Sequence, residues 1–292
     1  TGQTFQDLLA PCEVVDVEQG EPDVLFFSVW RDRHVQLLEG QAASDVFPEL
    51  AKNPQVRLVF YTAENCRPPL GSVPLCLSFD RMPARLVPCG TGHFRLPFWA
   101  LMKEVPAVLR AHEARIQHKT KTASRHRFCG FVASNASLFQ SHLRINFVKM
   151  LSERYKQVDC GGAVLNNVGG PVEDKLGFLS QYRFCICFEN DAFPGYCTEK
   201  ILHAFAAGCV PIYWGDPTVH RDFNPQSFID VGAFDTFEDA ADFVASVDQN
   251  EDLYQAYLTK PILSSEWFER LRDADGFRAS LRKLIFQESE SQ

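Results

Sequence analysis

No apolar run in these 292 residues reaches the roughly 18 consecutive positions that a membrane-spanning helix requires. Positive charge is scarce: 29 Lys and Arg against 37 Asp and Glu leave a net charge of −8, which excludes a surface built for general nucleic-acid or anionic-membrane binding. Metal-ligand spacing is missing as well. The ten cysteines form no C-x-x-C pair, so zinc-ribbon and thioredoxin-type chemistry is excluded, and the eight histidines show no ligand spacing. The one D-x-D, Asp273-Ala274-Asp275, lies in a charged helical stretch near the end and reads as solvated surface. No internal repeat is present, and Thr1-Gly2-Gln3 opens no signal-peptide pattern.

What is there is a globular composition, 46% apolar and 23% charged, in a chain long enough for two ordinary domains. Most cysteines replace small apolar residues, as in Ala207-Gly208-Cys209-Val210, and read as buried thiols. A disulfide framework is the alternative, and it leaves the compartment open. A cytoplasmic setting, with or without peripheral membrane association, is the expectation, and the Golgi lumen the alternative for a trimmed catalytic domain.

The most informative stretch is Phe188-Glu189-Asn190-Asp191-Ala192-Phe193-Pro194-Gly195-Tyr196-Cys197-Thr198-Glu199-Lys200. A strand-forming run, Phe184 to Phe188, precedes it. A helical pattern, Ile201 to Ala207, follows and ends at Gly208. A polar loop between strand and helix is where open α/β sheets bind ligands. Thr198 is a good N-cap, which puts Glu199 and Lys200 in the first helical turn. A lysine there opposes the helix dipole at a cost of a few tenths of a kcal/mol, up to about 1. That cost makes sense if an anion shares the helix end, and a carboxylate beside a phosphate suits ribose hydroxyls. The loop therefore reads as a nucleotide-diphosphate site, against the plainer reading of a solvated helix start.

Strands are expected over Asp23–Trp30, Val56–Tyr61 and Val73–Phe79, and an apolar helix from Arg95 to about Arg110. Glu64 and Asn65 follow the second strand and Asp80 the third, again on the ligand edge of such a sheet. Residues 110–127, with six Lys or Arg and three His, read as a solvated basic linker. The α/β pattern then restarts: strands at 127–135, 158–162, 184–188, 210–217 and 227–231, helices at 143–155, 173–182, after Thr198 and at 237–247, and a last helical stretch over 267–286. The expected organisation is an N-terminal Rossmann-like domain (1–112), a basic linker (113–126), a second Rossmann-like domain (127–262) and a C-terminal helix (263–292) packing back on the first. The fold class is α/β, two such domains facing across a cleft.

Phe188-Glu189-Asn190, Tyr196-Cys197-Thr198-Glu199-Lys200, Ala207 to Gly215 and Asp222 to Ile229 together resemble the α1,3/α1,4-fucosyltransferases, glycosyltransferase family 10, above all its bacterial branch. The resemblance runs through Arg127 to Asn135, Gly161-Gly162 and Phe178 to Phe184, and upstream through Val59 to Asn65 and Arg95-Leu96-Pro97, covering most of 56–260. It implies a GT-B fold and an inverting transfer of fucose from GDP-fucose to the 3-hydroxyl, or 4-hydroxyl, of a GlcNAc or Glc in an N-acetyllactosamine-like glycan. It implies that Arg144 and Lys200 neutralise the diphosphate, that Glu199 holds the ribose, and that Asn190, Tyr196 and Thr198 line the donor pocket. It makes Glu64 the general base. Asn65, Asp80, Arg95 and Glu189 are acceptor or pocket candidates; Asp80, Glu189 and Glu104 compete for the base role, and Glu189 is alternatively a structural carboxylate bonding backbone N–H groups of its own loop. No metal is then obligatory, and a divalent ion is expected at most to stimulate. GDP-fucose and an oligosaccharide are the expected partners, and no nucleic acid is. Asn135-Ala136-Ser137 is a glycosylation sequon by pattern, but in a donor-side loop where modification is not expected. A sugar-nucleotide binder without activity, or a transferase using another nucleotide sugar, are the competing readings.

Overall fold

Short apolar runs alternating with amphipathic stretches build two parallel sheets in the computed structural model, which describes residues 23–29, 33–53, 55–117, 125–134 and 141–286. The sequon and the core of the basic stretch, residues 118–124, lie outside the described residues. The chain divides into one unit of Thr1–Lys103 with Arg270–Gln292 and a second of Glu104–Glu269.

In unit 1 the strands β1 (Val24–Phe27), β2 (Arg57–Tyr61), β3 (Leu75–Ser78) and β4 (Gly92–Arg95) pair in sequence order, all parallel. A parallel sheet must be covered on both faces. Alternation along β2 and β3 meets that need. Leu58, Phe60 and Cys76 point into one core with Leu37 and Phe47, from the segment holding α1 (Arg33–Leu38), α2 (Ala43–Val46) and α3 (Pro48–Lys52). Val59, Tyr61, Leu75 and Leu77 point into the other, closed by Leu281 and Ile285 of the last helix, α11 (Ala274–Phe286). Each such fully buried aliphatic side chain contributes about 1.5–3 kcal/mol.

In unit 2 the order is β6 (Val158–Cys160), β5 (Arg127–Phe131), β7 (Tyr182–Phe188), β8 (Val210–Trp214), β9 (Ile229–Asp230), again all parallel. The chain goes outward from β5 to β6, then returns across β5 and winds the other way through β7, β8 and β9. The reversal makes a topological switch point between β5 and β7, the place where open α/β sheets hold ligands. Around this sheet lie α4 (Val105–Gln117), α5 (Ser141–Arg154), α6 (Lys175–Leu179), α7 (Glu199–Ala206), α8 (Phe237–Gln249) and α9 (Glu251–Leu258); the division between the units falls within α10 (Ser265–Arg272). Phe147 of α5, Phe184 and Phe188 of β7, Val244 of α8 and Tyr254 of α9 share one core.

Several expectations are corrected. Arg95 is the last residue of β4 and starts no helix; Pro97 disfavours helical backbone at Leu96, and a single 3₁₀ turn, Phe98–Leu101, precedes α4. The basic stretch is part structure: its first residues belong to α4, and Arg125 donates to the carbonyls of Tyr182 (2.8 Å) and Ala207 (2.7 Å). The second bond satisfies one of the orphan carbonyls at the end of α7. The final helical stretch breaks at Asp273, whose carboxylate accepts the Gly276 N–H at 2.8 Å and caps α11. Half of the D-x-D is thus a helix cap, and Asp275 is 98% exposed. The nine described cysteines are free thiols, seven of them buried. Among the described residues no helix is long and apolar enough to cross a membrane.

Candidate functional site

A cavity of about 290 Å³ opens at the switch point of unit 2. One wall is the end of β5 with the loop after it, Phe131 to Ser134; another is β7, Cys185 to Phe188, with Asn190 beyond it. Arg144, Lys175, Glu199 and Lys200 supply its charge. Gly162, in the turn after β6, backs this wall so closely that a Cβ there would stand 2.1 Å from the Ala133 oxygen.

The sequence folds this way locally for identifiable reasons. Gly195 turns the loop in the left-handed region, φ 90°, and its N–H is held by Asp216 at 2.7 Å. Helix α7 stops at Gly208, φ 72°, with the Cys209 N–H on the Ala204 carbonyl and the Gly208 N–H on the Phe205 carbonyl, a Schellman termination. The helix start departs from expectation. The Thr198 hydroxyl makes no cap bond to the helix. It donates instead to Glu189 Oε2 (2.7 Å), while the Thr198 N–H donates to Glu189 Oε1 (2.7 Å) and Lys200 Nζ to Glu189 Oε2 (2.7 Å). Glu189 is buried, and it is the real cap: a carboxylate at the positive end of the dipole, reached across the loop.

This pairing changes the meaning of Lys200. Its ammonium has three donors, and two are used on Glu189 and on the Thr198 hydroxyl (2.8 Å), leaving one toward the cavity. Burial works against its charge, but Glu189 and Glu199 outweigh burial and hold Lys200 above the ordinary lysine value. Glu199 is shifted down: burial would raise it, yet Lys200, a helix-start N–H, Lys175 and His203 outweigh burial. Arg144, buried on α5, donates to Asn190 Oδ1 at 2.9 Å; burial lowers its pKa while Glu189 acts in the opposite direction. Arg144, Asn190, Glu199 and Lys200 are therefore brought together as read from the sequence. Tyr196 and Thr198 are both buried in the loop and neither lines the cavity.

Lys175 was missed, and so was its neighbour. Lys175 Nζ lies 3.2 Å from His203 Nδ1. Burial, and then the Lys175 charge, hold His203 below the ordinary histidine value, against the opposing charges of Glu199 and Glu104 and with Lys200 adding to the depression. A lysine has only donors, so the Nδ1 of a neutral imidazole accepts this bond. The residues are 28 apart on different elements, and no spacing could have announced them.

In unit 1 the carboxyl edge of the sheet carries a second polar cluster. Glu64 follows β2, half-buried, in a turn where its N–H donates to the Thr62 hydroxyl (3.0 Å) and the hydroxyl to the Glu64 carbonyl (3.1 Å). Its charge, after burial, pushes the Tyr61 hydroxyl far up. Arg67 pairs with Asp80, donates to Asn65 Oδ1 (2.6 Å) and lies over the Phe79 ring. The Ser78 hydroxyl donates to Asp80 Oδ2 (2.8 Å), so His93 Nε2, 2.9 Å away, donates to Ser78. Arg95 Nε donates to the Phe79 carbonyl at 3.0 Å. Arg67 is the member of this cluster that the sequence did not single out. Among the described residues, no three His, Cys, Asp or Glu side chains converge as a metal site.

Residues 120–261 match the family model "Glycosyltransferase family 10 (fucosyltransferase) C-term". The chain is 33% identical over 219 residues to the alpha-(1,3)-fucosyltransferase FucT of Helicobacter pylori, over 67% of this chain and 45% of that protein. It is 29% identical over 178 residues to the GDP-fucose protein O-fucosyltransferase 3 of Homo sapiens, over 57% of this chain and 37% of that protein. It thus spans less than half the length of these curated relatives. A crystal structure of an alpha1,3-fucosyltransferase with GDP-fucose superposes with a TM-score of 0.61 at 26% identity, covering 89% of this chain and 90% of that one. A crystal structure with GDP superposes equally well, at 25% identity. The GT-B class expected from the sequence is the class of these structural neighbours.

Proposed function

Because residues 120–261 are a fucosyltransferase domain of glycosyltransferase family 10, we propose that this chain transfers L-fucose from GDP-fucose, with inversion, to the 3-hydroxyl of a GlcNAc or Glc in an N-acetyllactosamine-like glycan, a 4-hydroxyl being the alternative. The observation that carries the donor half is the cavity at the switch point, where one acid, the buried Arg144 and the half-buried Lys175 and Lys200 converge. The leaving diphosphate gains charge as the bond to fucose breaks. Fixed cations in a half-dry site stabilise that charge more than the ground state. Arg144 and the remaining Lys200 donor are suited to this role, and Glu199, kept ionised, accepts from ribose hydroxyls. Asn190, oriented by Arg144, borders the same cavity. Tyr196 and Thr198 act through the loop that Glu189 and Asp216 hold.

Inversion needs one base to take the proton from the attacking hydroxyl, worth about 10²–10⁴-fold when well placed. Glu64 is that base in this reading. Asn65, Asp80 and Arg95 shape the acceptor side, and no metal is obligatory. A protein hydroxyl is a second acceptor class, suggested by the relatives named protein O-fucosyltransferases. An acceptor array with GDP-fucose, followed by linkage analysis, tests the reading. Fucosylation of the glycan acceptors, abolished by Glu64→Gln, is expected. Full turnover by Glu64→Gln would remove Glu64 as base, and no transfer to any acceptor would leave a sugar-nucleotide binder.

A further inference from the structure

The charged groups of the unit 2 cavity are arranged in order. Arg144 bonds Asn190 at one end. Lys200 bonds Glu189, the residue next to Asn190. Glu199 comes next, and it shares a helix face with His203, one turn on. His203 in turn holds Lys175 at the other end of the row. Lys175 faces the cavity, and its one hydrogen-bond partner among the described residues is that imidazole nitrogen. It forms no ion pair within bonding distance of a carboxylate among them. A cation aimed at a cavity and bonded only to a neutral ring has donors left for a ligand.

This inference rests on the nucleotide reading of the site. If Arg144 and Lys200 take the diphosphate and Glu199 the ribose, the next group along the row faces the base. We propose that Lys175 is a specificity-determining residue that donates to the acceptor edge of a guanine, with His203 orienting it. Guanine presents two acceptors on that edge, O6 and N7. Adenine presents one acceptor and an amino donor, and the donor meets an ammonium that cannot accept.

Calorimetric titration of GDP, IDP, ADP and inorganic pyrophosphate into the native chain, Lys175→Met and His203→Gln tests this. IDP keeps O6 and N7 and lacks only the guanine amino group. Lys175→Met is expected to weaken GDP and IDP alike by roughly tenfold to a hundredfold, while ADP and pyrophosphate change less than about twofold. His203→Gln is expected to weaken GDP less than Lys175→Met, with the same indifference to pyrophosphate. Equal losses for GDP, ADP and pyrophosphate would overturn the proposal and make Lys175 a phosphate cation. Unchanged GDP affinity would overturn it as well. A native chain that binds no GDP would sink the nucleotide reading itself, whatever the variants do. Thermal unfolding of both variants alongside the native chain excludes misfolding as the source of any loss.

Discussion

The two sheets carry their polar clusters on the same edge but present them differently. In unit 1 the strands follow one another in order, and among the described residues the sheet has no reversal. Its polar groups bond to one another: Arg67 with Asp80 and Asn65, Ser78 with Asp80 and His93. In unit 2 the winding reverses between β5 and β7, the loops part, and the charges look into a cavity. At the reversal in unit 2 the charges line a cavity, whereas the described unit 1 cluster is made of mutual side-chain bonds. Acidic and basic residues at strand ends mark a candidate edge, and a reversal of strand order marks where along that edge a ligand fits.

The largest expected effect breaks the comparison from the unit 1 side. Glu64→Gln is expected to lower kcat by about 10²–10⁴-fold with GDP affinity unchanged. A loss of GDP affinity in that variant would mean that unit 1 contributes to donor binding. Next comes a contrast in stability. Lys200→Met leaves Glu189, whose side chain is fully buried, without its cation, at a cost of about 3–5 kcal/mol in denaturant unfolding. Adding Glu189→Gln should recover part of it. In unit 1, Arg67 is partly exposed and Asp80 keeps the Ser78 hydroxyl, so Arg67→Met should cost less, about 1–3 kcal/mol.

Much of unit 2 was legible because its signals are local. Strand, polar loop, Lys200 after a cap residue and Gly208 at the stop lie within a single short stretch, and Arg144 and Asn190 came with the family resemblance. The reading of Glu189 as a carboxylate that bonds N–H groups of its own loop matches its bond from the Thr198 N–H. Unreadable were the side-chain pairings: nothing in the sequence says that Glu189 takes the Lys200 ammonium, that Lys175 meets His203, or that Arg67 bridges Asn65 and Asp80. Arg95 was misassigned because apolar residues after it look helical, while the β4 pairing with β3 is a tertiary fact. Placement of Tyr196 inside the loop depended likewise on Gly195 and Asp216.

Smaller effects sharpen the contrast further. Gly162→Ala should push the cavity wall at Ala133 and cost about 1–3 kcal/mol, with weaker GDP binding, because the new Cβ would meet backbone. pH distributes across both units. His93 in unit 1 and His112 and His203 in unit 2 all sit below the 6.5 of an unperturbed histidine, each chiefly through burial. As pH falls, the unfolded chain binds these protons first. Stability is therefore full above about 6.5 and is lost as pH drops from there through the folded values. Thermal melts from pH 8 to 5 should show this loss, and His203→Gln should blunt it. At the bottom of the scale, Asp242→Asn on the exposed Arg154 pair should leave the denaturant midpoint essentially unchanged, because solvent screens both charges.

The most direct test of the switch-point cavity as a nucleoside-diphosphate site is the affinity of GDP for the native chain beside Arg144→Ala, measured by calorimetry. Saturable binding by the native chain, weakened about tenfold or more in Arg144→Ala, is the expected result. Identical affinities in the two proteins, or no saturable GDP binding by the native chain, would contradict it.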